Sequence, residues 1–152
     1  MVPPIKKISI KSMKLIYNNI RDVYSRQHKV MRSTYIYIMK IFVTGVCGQL
    51  GHDVVNELEK RYHQGVGSDI QTVYSGVLDG TAVTTVPYVQ LDITDRDAVK
   101  KTIEGIAPDA IIHCAAWTAV DAAEDEDNMA KVDAINHLGT KYIAEAAKTI
   151  GA

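Results

Sequence analysis

The stretch KIFVTGVCGQLG, residues 40–51, decides how this chain folds. Its first five residues form a short apolar run that ends at a glycine, which indicates a buried strand over residues 40–44. Three glycines follow with the spacing G-x-x-G-x-x-G, and Leu50, Val54 and Leu58 then recur at helical intervals. The stretch therefore predicts a strand, a tight turn and an amphipathic helix over residues 48–61, in that order.

The glycine turn, residues 44–51, is typical of the turn that binds the pyrophosphate of a dinucleotide. Gly45 permits the sharp bend, Gly48 lets backbone N–H groups approach the phosphates, and Gly51 allows the helix to pack closely on the strand. The start of the helix adds unpaired donors and partial positive charge. Glycines also mark ordinary turns, so the prediction depends on the strand-to-helix setting.

The rest of the chain continues this alternation. Further strands are predicted over residues 64–69, 87–91 and 110–114, and further helices over residues 94–107 and 128–150. The helix after residue 94 opens with a capping box, Thr94-Asp95-Arg96-Asp97. The inward faces of these two helices are predicted to consist of Val99, Ile103 and Ile106, and of Ile135, Leu138, Tyr142 and Ala146.

The alternation predicts an α/β fold, a truncated Rossmann-type doubly wound parallel sheet whose four strands have the order 3-2-1-4. The sequence stops at Ala152, where a fifth strand is expected. We therefore expect residues 39–152 to form an incomplete NAD(P)-binding Rossmann domain. The strand at 110–114 then lacks its outer neighbour, which predicts poor solubility.

Charge divides the chain into two segments. Residues 1–38 hold eight Lys/Arg against one acid, whereas residues 39–152 hold nine against 17. The basic segment lies outside the periodic part of the chain and lacks the apolar core of a secretory signal. We expect a disordered extension. The alternatives are a transit peptide or sequence translated upstream of a start at Met39. Because the folded part is acidic, nucleic acid is not an expected partner.

The two cysteines, Cys47 and Cys114, have no CxxC partner and no histidine at metal-ligand spacing. They are interpreted as free thiols of a reducing compartment, which predicts a cytoplasmic protein. No apolar run approaches the length of about 18 residues that a membrane span requires, so no membrane association is expected.

Two acids follow predicted strands. Asp69 comes 18 residues after Gly51, where a carboxylate can accept hydrogen bonds from the adenosine ribose and disfavour a 2′-phosphate. Ser68 and Gln71 weaken that preference, and Asp69 as a plain loop acid is the alternative. Asp92 and Ile93 close the third strand, where they either flank the adenine or provide polarity at a helix entry.

The segment from Ala115 to Asp121 follows the strand that borders the switch point of the sheet. Ala115 and Ala116 are small enough for a dinucleotide to approach, Thr118 can hydrogen-bond a ligand, and Trp117 can stack on a ring. The alternative is close packing with Trp117 buried. The acidic run at residues 124–127 suggests a metal or, more simply, acids that offset a helix dipole.

Residues 39–152 resemble the amino-terminal part of the dTDP-4-dehydrorhamnose reductases, in the extended short-chain dehydrogenase/reductase superfamily. The superfamily resemblance rests on TGxxGxxG, on the acid after the second strand and on Asp92. The family resemblance rests on GQLG at 48–51, LDITD at 91–95 and AAWTAVDAAEDE at 115–126.

The resemblance implies an enzyme that reduces the C4 ketone of dTDP-4-dehydro-rhamnose with NADPH or NADH, and that is able to form a homodimer when intact. It implies substrate contacts at Thr118 and Val120. Positions matching the family's cofactor contacts are Gly48, Gln49, Leu50, Asp69, Asp92, Ile93, Ala116, Trp117 and Thr118.

The family's proton donor is a tyrosine followed four residues later by a lysine. None of the eight tyrosines has lysine at that position. A carbonyl that accepts hydride needs a proton for the developing alkoxide, so we expect this chain to be inactive alone. Two alternatives stay open: another nucleotide-sugar epimerase or dehydratase of the superfamily, and a non-catalytic, dinucleotide-binding regulatory subunit.

Overall fold

The computed structural model describes residues 37–74 and 86–152. By its contacts the chain divides between Ile38 and Met39, and all of the described strands and helices belong to the second unit. The extension predicted over residues 1–38 lies outside the described residues except for its last two. Residues 75–85, part of the irregular stretch before the third strand, lie outside them as well.

The described elements are four strands, five helices and one π-helical segment. The strands are β1 (Lys40–Thr44), β2 (Gln64–Asp69), β3 (Tyr88–Gln90) and β4 (Ala110–His113). The helices are α1 (Gln49–Lys60), α2 (Arg96–Ile106), α3 (Val120–Ala123), α4 (Glu126–Val132) and α5 (Thr140–Ile150), with the π segment Asp133–Gly139 between α4 and α5. All pairings are parallel and the order is β3-β2-β1-β4, which confirms the predicted sheet.

The core lies on both faces of β1, because successive side chains of a strand point to opposite faces. Phe42 is fully buried and packs in a cluster with Ile103 of α2 and Ile143 of α5. Val43 is also fully buried and belongs to a second cluster with Val55 of α1. The sheet is therefore covered by helices on both sides, as a parallel sheet requires.

The face that α1 turns to the sheet differs from the predicted one. Gly51, Val55 and Leu58 are buried, whereas Leu50 is 66% exposed. Residues 51, 55 and 58 have the i, i+4, i+7 spacing of one helix face, and Leu50 stands about 100° away from Gly51 around the axis. The helix begins at Gln49, so Leu50 lies in the first turn with its side chain in solvent.

The start of α2 lies one residue later than the capping box predicted. Asp92 Oδ1 accepts the N–H and the hydroxyl of Thr94, which turns the Thr94 side chain toward Asp92. Asp95 caps the helix instead, and its carboxylate accepts the N–H of Ala98 at 3.0 Å. The predicted inward residues are confirmed, since Val99, Ile103 and Ile106 are all buried.

The last helical region contains a π segment that the sequence period did not predict. Of the predicted inward residues, Ala146 is buried, and Ile135 and Tyr142 pack against the core cluster. Leu138 does not belong to that cluster, and the neighbouring Gly139 is buried instead, as is Ile143. A π turn is wider than an α turn and keeps residues four apart in line. Gly139 lies so near Ile93 that a Cβ on it would stand 2.8 Å from the Ile93 Cδ1 atom.

The end of α2 provides a test of backbone strain. Ala107 caps the helix in the left-handed conformation, with φ of 47°, which disfavours any residue with a Cβ. We expect Ala107→Gly to raise the free energy of unfolding by about 0.5 kcal/mol. The matched control is Ala144→Gly, at an exposed interior position of α5, which should lower it by about 1 kcal/mol. Urea denaturation followed by circular dichroism measures both, and a loss of stability in Ala107→Gly would contradict the strain.

Candidate functional site

The glycine turn lies against the backbone that follows β4. Gly45 has φ of +72°, and a Cβ on it would stand 2.5 Å from the backbone nitrogen of Ala115. A Cβ on Gly51 would overlap the carbonyl oxygen of Gly45. Neither position has room for a side chain, so both glycines are required by close approach and not by flexibility alone.

Helix α1 begins without a side-chain cap. Gly48 occupies the N-cap position in extended conformation, and its own N–H donates to the Gly45 carbonyl at 3.1 Å. Within residues 37–74 and 86–152 the N–H groups of residues 49–51 have no hydrogen-bond partner. Such unpaired donors, with the positive end of the helix dipole, favour an anion. The site therefore fits the pyrophosphate of a dinucleotide.

Asp69 ends β2 beside this turn and uses both carboxylate oxygens on backbone donors. Oδ2 accepts the N–H of Cys47 at 3.0 Å, and Oδ1 accepts the N–H of Ile70 at 2.8 Å. Asp69 thus ties the glycine turn to the loop that follows β2. Its role at the adenosine ribose and the alternative of a structural loop acid both stay predictions.

Two residues that were not predicted as site residues, Val46 and Gly67, support the glycine turn. Val46 is fully buried, and its N–H donates to the carbonyl of Ser68 at 3.2 Å. It fits because β2 carries Gly67, where a Cβ would stand 3.1 Å from a methyl of Val46. The pattern Gly65-Val66-Gly67 inside a strand was the available signal, since a strand glycine often marks a close approach.

The thiol of Cys47 stays protonated at neutral pH. Burial, and then the nearby carboxylate of Asp69, raise its pKa to about 11. Burial likewise raises the pKa of Cys114. A neutral thiol is a poor nucleophile and adds no negative charge beside an anion site, so Cys47 is suited to a phosphate-binding turn.

The residues predicted to flank the adenine are both engaged within the protein. Asp92 is exposed and its Oδ1 holds Thr94, as described above, which places it at the entry of α2. Ile93 is only 7% exposed and belongs to the core cluster around Phe42. The helix-entry interpretation describes Asp92 in this structure, and the adenine contacts of both residues remain predictions.

The segment after β4 is held by the π segment. The N–H of Trp117 donates to Asn136 Oδ1 at 2.7 Å, and Asn136 Nδ2 donates to the Trp117 carbonyl at 3.1 Å. The indole N–H donates to the Ala119 carbonyl, and Lys131 Nζ lies 5.0 Å from the ring centroid. Trp117 is half-buried, whereas Ala116, Thr118 and Val120 are exposed. The three exposed side chains are available to a ligand.

A chain of hydrogen bonds joins this segment to β1. Thr44 Oγ1 accepts the N–H groups of Cys114 and Ala115 at 3.2 and 3.3 Å, so its own hydrogen is donated to His113 Nδ1 at 2.7 Å. His113 Nε2 then donates to Thr140 Oγ1 at 3.2 Å, because that hydroxyl donates to the Asn136 carbonyl. The arrangement requires a neutral imidazole, whose two ring nitrogens both have hydrogen-bond partners.

The acidic run is accounted for by helix capping. Asp125 caps α4, and its carboxylate accepts the N–H of Asp127 at 3.2 Å. Among the described residues no group of three or more His, Cys, Asp or Glu side chains is arranged to hold a metal ion. Within the same part of the chain, no helix has the length and apolar character needed to cross a membrane.

Comparison with known proteins identifies relatives of this chain. The family model described as "RmlD substrate binding domain" matches residues 39–152. A dTDP-4-dehydrorhamnose reductase of Streptomyces griseus is 36% identical over 110 residues, which is 72% of this chain and 30% of the relative. The chain thus spans less than a third of the length of this relative.

Solved structures share the fold. The Bordetella bronchiseptica enzyme WbmH, crystallised with NAD+, is 28% identical with a TM-score of 0.61, covering 76% of this chain and 37% of that one. A UDP-glucose 4-epimerase from Brucella ovis, in complex with NAD, is 26% identical with a TM-score of 0.62, covering 74% and 33%.

The neutral state of His113 predicts a pH dependence. Burial lowers the pKa of His113 below its ordinary 6.5, so the unfolded chain takes up the proton first as the pH falls. The stability from the neutral imidazole is complete above pH 6.5 and is lost as the pH falls below that value. We expect the decline in the free energy of unfolding between about pH 7 and 5 to be shallower in His113→Gln. The control is His137→Gln, because the pair of His137 with Asp133 is exposed and solvent screens such pairs, so the slope should stay close to that of the wild type. Equal slopes in all three proteins would refute the assignment.

Proposed function

Because the chain belongs to the family of the RmlD substrate binding domain, we propose that residues 39–152 supply the dinucleotide-binding portion of a dTDP-4-dehydrorhamnose reductase. The observation that carries the proposal is the glycine turn. Gly45 and Gly51 leave no room for a side chain, and α1 begins with unpaired donors. Since the chain spans 30% of its reductase relative, the activity of the whole enzyme is part of the proposal.

In this proposal NADH or NADPH, when bound, supplies hydride to the C4 ketone of dTDP-4-dehydro-rhamnose. The first turn of α1 holds the pyrophosphate through the backbone N–H groups of residues 49–51, and Asp69 accepts the ribose hydroxyls. The carboxylate of Asp69 favours NADH, because it would repel a 2′-phosphate. Exposed Ala116 and Thr118 lie on the segment that packs against the glycine turn, and Thr118 and Val120 are proposed to face the sugar.

The setting of the proposed reaction is the cytoplasm, where dinucleotides and nucleotide sugars are both available. A nucleotide-sugar epimerase is the second candidate, favoured by the 26% identity with the Brucella ovis UDP-glucose 4-epimerase. Both candidates share the cofactor site and differ in the chemistry at the sugar. Substrate turnover, and not dinucleotide binding, therefore separates them.

Substitution at the N-cap separates cofactor binding from folding. A Cβ on Gly48 would stand 3.3 Å from the Gly45 carbonyl oxygen, and Gly48 has an ordinary negative φ. Gly48→Ala should therefore cost about 1 kcal/mol of stability or less, while its methyl group keeps phosphate from the backbone. We expect the Kd for NADH, measured by fluorescence titration of the full chain, to rise about tenfold or more.

The matched control is Gly151→Ala, which removes a left-handed glycine at the end of α5 and meets no atom within 4 Å. It should cost about 1 kcal/mol of stability and leave the Kd for NADH unchanged. If Gly48→Ala binds NADH as tightly as the wild type, or if the wild type binds no dinucleotide, the proposed cofactor site is wrong.

A further part of the proposal is that the 152-residue chain does not turn over by itself. No tyrosine in it is followed by lysine at the fourth position, so the alkoxide formed by hydride transfer lacks the family's proton donor. Purified chain, dTDP-4-dehydro-rhamnose and NADH should show no loss of NADH absorbance, whereas the Streptomyces griseus reductase serves as the positive control. Steady turnover by the chain alone would overturn this part.

A further inference from the structure

Two side chains of β3 hold three consecutive carbonyl groups of the loop after β2. The single hydroxyl hydrogen of Tyr88 is shared between the carbonyls of Asp69, at 3.1 Å, and Gln71. The amide of Gln90 donates to the carbonyl of Ile70 at 3.1 Å. Residues 88 and 90 point to the same face of the strand. We call Tyr88 and Gln90 the β3 clasp.

The clasp is anchored to the rest of the domain. The N–H of Leu91 also donates to the Asp69 carbonyl, at 2.8 Å, which extends the pairing of β2 with β3. The ring of Tyr88 stacks on Tyr74, with centroids 5.6 Å apart and planes 12° apart. Tyr74 in turn shares a hydrogen bond of 2.6 Å with His52 of α1. The stacking on Tyr74 therefore fixes the position of the Tyr88 ring and of its hydroxyl.

Stability alone does not account for the clasp. Ile70 and Gln71 are both exposed, and an exposed carbonyl can accept its hydrogen bond from water. The net free energy of a hydrogen bond exchanged with water is small, about 1 kcal/mol. Two side chains are nevertheless directed at this one loop. What the clasp changes most is the freedom of the loop to adopt other conformations.

The geometry links the clasp to the carboxylate of Asp69. The carbonyl of Asp69 and the N–H of Ile70 belong to one planar peptide unit. Tyr88 holds the carbonyl of that unit, and the N–H of the same unit donates to Asp69 Oδ1 at 2.8 Å. Oδ2 accepts the N–H of Cys47 at 3.0 Å, and the peptide that Tyr88 and the N–H of Leu91 hold together sets the position of Oδ1.

We propose that Tyr88 and Gln90 are positioning residues, which orient the Asp69 carboxylate toward the ribose hydroxyls of the adenosine half of the dinucleotide. The inference rests on the proposed function, because it assumes that Asp69 meets the ribose. It assigns two further residues to the recognition of that sugar, neither of which needs to touch the cofactor.

The test compares NADH with its analogue that lacks the adenosine 2′-hydroxyl, using the full chain and fluorescence titration. A hydrogen bond to a carboxylate should make NADH bind about tenfold more tightly than the deoxy analogue in the wild type. Tyr88→Phe and Gln90→Met each remove a donor of the clasp. We expect this ratio to fall to about threefold or less in both variants. The exposed position of Gln90 keeps the test available if Tyr88→Phe fails to fold.

The matched control is Gln64→Met, which removes an amide of the same kind at the opposite end of β2. It should keep the wild-type ratio. An unchanged ratio in the clasp variants overturns the proposal, even if both affinities fall together, because that result describes a loosened fold. A wild type that binds neither ligand refutes the proposed function instead. If the wild type binds NADH and the deoxy analogue equally tightly, the 2′-hydroxyl makes no hydrogen bond with Asp69. That result overturns the positioning role.

Discussion

The backbone contact between Gly45 and Ala115 is the constraint on which the candidate site depends. The absence of a side chain at Gly45 lets the turn after β1 meet the segment after β4 backbone to backbone. At that distance the hydroxyl of Thr44 reaches the N–H groups of both Cys114 and Ala115. The two loops that a dinucleotide would contact are thereby joined at the carboxyl ends of neighbouring parallel strands, where ligands bind in sheets of this type.

Much of the fold could be predicted, because local sequence patterns determine where its strands and helices lie. Apolar runs and glycines placed β1 and β2 at their observed bounds, and the alternation of strands and helices predicted the order of the sheet. The errors are shifts of a helix start or a helix face by about one residue. The cap of α2 is Asp95 and not Thr94, whose hydroxyl donates to Asp92. In the last helical region the buried residue is Gly139 and not Leu138, where the helix forms the π segment.

The candidate site was predicted less completely than the fold. Glycine spacing and the acid at position 69 indicated the chemistry, since each is recognised by its distance along the chain. The contacts that arrange the site join residues far apart in sequence, such as Asp69 with Cys47 and Asn136 with Trp117. Such pairs leave no periodic pattern in the sequence. The two hydrogen bonds that the Asp69 carboxylate accepts, and the packing of Val46 against Gly67, could therefore not be predicted from the sequence.

The π segment also constrains how many residues the last helical region contains. A π turn in an α-helix is equivalent to one inserted residue. Removing a residue from positions 133–139 would restore a regular helix, but it would turn every later side chain by about 100° around the axis. Ile143 and Ala146 would then leave the core, or Asn136 would leave Trp117. The number of residues between Asn136 and the core face of α5 is thus fixed by the contacts at both ends, and alignments of relatives should show no gap there.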